Sequence, residues 1–143
     1  MGVSTEHLRL AAIVSTALTC CPAHADQVAC HVTYGGETRV IGAAATTQPL
    51  AVAPVPIGSY FLFRIAFRKE PADLAGIKLS TYADHDGGAT IIHQATYAYP
   101  PPPATPSGHF APGATTGFTG LNFVYEPVRD GELQYWCEMK DSP

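Results

Sequence analysis

Apolar and polar residues alternate with a period of two along most of this chain, and helical periodicity is nearly absent. Such a pattern buries one face of a sheet, and it gives a helix no continuous apolar stripe. The clearest case is residues 59–69. Phe61, Phe63, Ile65 and Phe67 fall on one side, while Tyr60, Leu62, Arg64, Ala66 and Arg68 fall on the other. The first set is assigned to the core, where a fully buried large apolar side chain contributes about 1.5–3 kcal/mol.

The alternation is cut into short pieces by turn residues. Residues 27–34 place Val28, Cys30, Val32 and Tyr34 on one face and Ala29, His31 and Thr33 on the other. Gly35-Gly36 follows as a two-residue turn tolerant of positive φ, and residues 37–44 return as the partner strand. Residues 48–57 hold Pro49, Pro54 and Pro56, so they suit a sheet edge or an irregular crossing. Residues 70–76 read as a turn, with one short helical turn after Pro71. Residues 77–84 form a strand with Ile77, Leu79, Thr81 and Ala83 inward. After the turn at 84–88, residues 89–97 return with Ile91, His93, Ala95 and Tyr97 on one face. Residues 120–126 resume a strand through Leu121, Phe123 and Tyr125, and residues 132–139 close the chain with Leu133, Tyr135, Cys137 and Met139 on one side. The sum is an all-β chain, read as an immunoglobulin-like β-sandwich of seven to eight antiparallel strands. The Trp between widely spaced cysteines that marks antibody domains is missing, since Trp136 adjoins Cys137. The likeness therefore carries architecture and no function.

Residues 1–25 stand apart. A polar start with Arg9 precedes the apolar run at 10–18, and Ala23-His24-Ala25 supplies small residues at the two positions a signal peptidase reads. This predicts a secretory signal at 1–25 and a single domain at 26–143. It places the protein outside the cytoplasm, in the periplasm or extracellular space. Cleavage removes Cys20 and Cys21 and leaves Cys30 and Cys137, which in an oxidising compartment predict one disulfide. It also removes Arg9 and Glu6, so the net charge stays at −4. An acidic chain without a basic block argues against nucleic-acid binding. Past the leader no apolar run reaches the roughly 20 residues of a membrane span. Charged residues make up 14% of the chain, against about 25% in a typical domain, which favours a packed core over disorder.

The long segment at 99–119 breaks the strand pattern. Tyr97, Tyr99, Pro100, Pro101, Pro102, Pro103, His109, Phe110 and Phe118 cluster along it or beside it. A proline run is extended and stiff, and it loses little entropy on docking. Aromatic residues suit recognition surfaces. The segment is therefore the candidate interaction loop, with a protein or envelope-complex partner and no cofactor. Arg64 and Arg68 are read as keeping an outer sheet face soluble.

An alternative is a small copper- or zinc-binding protein using His31, His85, His93 and His109. The four are dispersed, without the local spacing of a metal motif. Asp84-His85-Asp86 offers fewer oxygen ligands than a calcium loop requires. No Gly-x-Ser-x-Gly elbow occurs, and Ser107 and His109 lie in the long loop without a scaffold to orient them. No catalytic role is assigned, and a small hydrolase or isomerase is the weaker alternative.

Overall fold

The computed structural model describes residues 1–2, 26–104 and 116–141. The leader assignment, His109, Phe110 and Ser107 lie outside the described residues. Eight strands form two four-stranded antiparallel sheets. In chain order they are β1 (Asp26–Tyr34), β2 (Glu37–Ala44), β3 (Val55–Ile57), β4 (Phe61–Arg68), β5 (Gly76–His85), β6 (Gly88–Ala98), β7 (Asn122–Glu126) and β8 (Gly131–Asp141). One sheet runs β2-β1-β8-β7 and the other β3-β4-β5-β6. No helix among the described residues is long and apolar enough to cross a membrane.

The phenylalanine stripe does what its spacing predicts: Phe61, Phe63, Ile65 and Phe67 are all buried. They meet Val28, Cys30, Val32, Leu133 and Tyr135 of the opposite sheet in one core. Phe63 and Tyr135 touch across the sheets with ring centroids 5.1 Å apart. The molecule is thus β-sandwich-like. The strand order differs from the immunoglobulin one, in which strands A, B, E and D face C, F and G and the disulfide bridges the two sheets. Here the first strand pairs with the last, and β3 to β6 form an uninterrupted meander. Cys30 and Cys137 sit directly opposite one another on β1 and β8, so the disulfide lies within one sheet.

Two local features depart from strict alternation. The register shifts between Thr81 and Tyr82, which pair with His93 and Ile91 and leave Ile92 as a bulge on β6. Ile91 therefore shares the outer side of Tyr82, while His93 shares the inner side of Thr81. On β7 the inward residues are Val124 and Glu126, and Phe123 and Tyr125 point outward. Pairing with β8 sets this: Val124 faces Leu133, which belongs to the core. The proline-bearing crossing becomes a short 3-10 turn at Pro49–Ala51 and the edge strand β3. Thr46 rejoins β4 by donating its N–H to the Phe67 carbonyl at 2.9 Å.

Candidate functional site

The candidate loop splits into a buried part and a surface part. Tyr97 ends β6 half-buried, with its ring edge-on to Phe118 at 5.3 Å. Burial raises the Tyr97 hydroxyl above its ordinary pKa, against a smaller opposing pull from Asn122. Tyr99 tilts onto Phe67 at 5.0 Å and donates its hydroxyl to the Asp26 carboxylate. Lys69 binds the same carboxylate at 2.7 Å and lies 5.5 Å over the Tyr99 ring. The hydrogen bonds from Lys69 and then Tyr99 hold Asp26 below its usual range. Tyr97, Tyr99 and Phe118, expected at an interaction surface, therefore pack the segment onto the body of the protein.

Phe118 is held by β8 itself. β7 leaves the edge of β8 after pairing Asn122 with Tyr135, and residues 117–119 take its place. Phe118 donates its N–H to the Cys137 carbonyl at 3.0 Å, and the Thr119 hydroxyl accepts the Cys137 N–H at 2.9 Å. Gly117 makes the approach possible. Its φ is +60°, and a Cβ there would lie 1.9 Å from the Cys137 carbonyl oxygen.

The prolines stay at the surface. Pro100, Pro102 and Pro103 are exposed and Pro101 is half-buried. Pro101 and Pro102 border a recess of about 320 Å³ that Gly117, Phe118, Glu138 and Met139 also line. Glu138 belongs to the outer face of the disulfide-bearing sheet and Met139 to the inner one, so the proline run lies beside the edge of β8.

The outer face is aromatic. His31 and Trp136 are cross-strand partners, with rings stacked at 3.8 Å and 4° between planes. Glu138 fixes the imidazole through Nε2 at 3.0 Å. Burial pushes the Glu138 carboxyl up, but hydrogen bonds from His31 and Lys140 outweigh it and leave the group below its usual range. Phe123 lies one diagonal step from Trp136, opposite Gln134, and Tyr125 follows two residues on along β7, opposite Glu132; they are 58% and 56% exposed. Val40 of β2, opposite His31, is 57% exposed. Tyr125 is oriented by its hydroxyl bond to Asp130. The face thus offers rigid rings with polar tips along its rim, the composition of a recognition surface. The sequence reading missed Phe123, Tyr125 and Trp136. Their alternation was visible, but only the pairing of β7 with β8 decides which side is out.

The histidines are placed apart. His31 lies on the outer face just described. His93 faces the interior, where its Nε2 meets the Tyr135 hydroxyl at 2.7 Å and burial lowers its basicity. His85 ends β5 beside the Asp86-Gly87 turn, opposite Gly88. Among the described residues no three His, Cys, Asp or Glu side chains are grouped to hold a metal ion. Asp84 of the candidate cation turn is tied to Tyr60 by its backbone N–H.

Searches of known protein families, curated proteins and solved structures find no match to this chain.

Proposed function

We propose that this protein is an exported, non-catalytic binding module that engages a protein or envelope-complex partner. The surface used is the outer face of the β2-β1-β8-β7 sheet together with the adjoining proline run. The observation that carries the reading is the exposure of Phe123 and Tyr125 beside the stacked His31 and Trp136. Large rings facing water in a contiguous group mark interaction sites, whereas single exposed apolar residues are ordinary. The proline run adds a stiff rim at one border of that face. Export is supported by the leader pattern at 1–25 and by the Cys30–Cys137 bridge, which suits an oxidising compartment.

The test is affinity capture from the envelope fraction of the exporting cell, read by quantitative mass spectrometry. Wild-type bait should enrich a discrete partner at least tenfold over a Phe123→Ser/Tyr125→Ser bait of equal stability. A Lys78→Gln bait, altered on the other sheet, should retain that partner. Equal capture by all three baits overturns the assignment of this face.

A further inference from the structure

The second sheet carries a different feature on its outer side. Ala66 and Gly76 are small residues set among long ones, and Leu50 and Leu74 of the two neighbouring 3-10 turns line the same depression. The result is a hollow of about 330 Å³, at the lower end of the roughly 300–1,000 Å³ usual for small-molecule sites. Arg64, Arg68 and Lys78 all border it. Among the described residues no carboxylate lines it and none of the three cations has an ion-pair partner. In a chain of net charge −4 this is a local reversal of sign.

The hydrogen bonding is also incomplete. The Nε atoms of Arg64 and Arg68 are buried and have no acceptor among the described residues. Arg68 uses one terminal nitrogen on the Thr47 carbonyl, and Arg64 lies 5.5 Å over the Tyr82 ring. Both guanidinium groups are therefore partly fixed while retaining free donors. Buried donors left unpaired are costly, and an acceptor that reaches them recovers that cost.

We infer that this hollow binds a small amphiphilic oxyanion. The carboxylate or phosphate head is held by Arg64, Arg68 and Lys78, and the apolar body rests on Ala66, Leu50 and Leu74. Guanidinium groups match either head through paired N–H donors, and the ammonium adds charge without fixed geometry. The site lies on the sheet opposite the aromatic face, so its failure would leave the proposed partner surface untouched.

The test uses the exported, oxidised chain and amide chemical-shift titration. The probes are octanoate, octyl phosphate, inorganic phosphate and octanol, each below its micelle concentration. Octanoate or octyl phosphate should shift Ala66, Gly76, Lys78 and Thr96 in a saturable way, and the tighter of the two names the head group. Inorganic phosphate should bind at least tenfold more weakly, and octanol should leave these amides unmoved. Arg64→Gln/Lys78→Gln should weaken the tighter probe at least tenfold while the β1 and β8 amides keep their positions, which shows that the variant is folded. Three results overturn the inference: no saturable shift with either amphiphile, octanol acting as strongly as they do, or the double variant binding like wild type.

Discussion

The outer faces of the two sheets follow the same period-two rule and end up with opposite characters. On the β2-β1-β8-β7 sheet, long side chains stand next to long ones. His31 lies flat on Trp136, Glu138 fixes the imidazole, and the exposed Phe123 and Tyr125 follow on the same side of β7. On the β3-β4-β5-β6 sheet, Ala66 and Gly76 interrupt the long residues, and the crossings before β3 and after β4 line the same depression. The first face is the proposed platform for a partner, and the second carries the hollow proposed for a small ligand. What separates them is the size of two residues and the route of two loops.

The comparison breaks most easily at the disulfide, which ties the two central strands of the platform sheet. Its closed loop spans 107 positions, for which the chain-entropy model gives about 4–5 kcal/mol. Cys30→Ser/Cys137→Ser should lose about 4 kcal/mol in urea unfolding. An unchanged midpoint would mean that the pairing of β1 with β8 alone holds the sheet together. Gly117→Ala comes next. It forces a positive φ on a residue with a Cβ and drives that Cβ into the Cys137 carbonyl, at a cost of about 2 kcal/mol. Hydrogen exchange should then rise at Phe118 and Cys137 before it rises in β4, and uniform protection would contradict this account of the β8 edge.

A third prediction concerns pH. His93 faces the core, and its basicity is lowered in the folded protein. The unfolded chain therefore takes up the proton more readily. Stability from this group should hold above about pH 6.5 and decline as pH falls below it. His93→Phe should flatten that part of the profile, and an identical decline in the variant would assign it elsewhere. The smallest stability effect belongs to the platform itself. Phe123→Ser/Tyr125→Ser should change unfolding free energy by no more than about 0.5 kcal/mol per site, because the side chains already face water. A larger loss would recast them as structural residues.

How much of this was legible in the sequence depends on distance along the chain. The phenylalanine stripe, the Gly35-Gly36 hairpin and the strand boundaries outside the proline-bearing segment 48–57 follow from neighbouring residues and appear within two positions of their expected places; of 48–57 only Val55–Ile57 is strand. The pairing of β1 with β8 depends on residues more than a hundred positions apart, and no local pattern encodes it. The outward turn of Phe123 and Tyr125 has the same origin. Alternation divides β7 into two sets, and only contact with Leu133 selects Val124 as the buried one. The tyrosines near the proline run are assigned to an interaction loop because aromatic residues beside a stiff proline segment suit recognition. Phe67, Asp26 and Lys69, far away in sequence, draw Tyr99 inward. The hollow required Ala66, Gly76, Leu50 and Leu74 to meet from four places on the chain, so Arg64 and Arg68 read as no more than a soluble stripe.

Whether the aromatic face meets the proposed partner can be read by photo-crosslinking in the exporting cell. A photoreactive residue at position 123 is compared with one at Thr90, which is exposed on the other sheet. One discrete crosslinked species is expected from position 123, lost when Trp136 is replaced by Ala, and none from position 90. The same species from both positions, or none from position 123, would contradict the proposal.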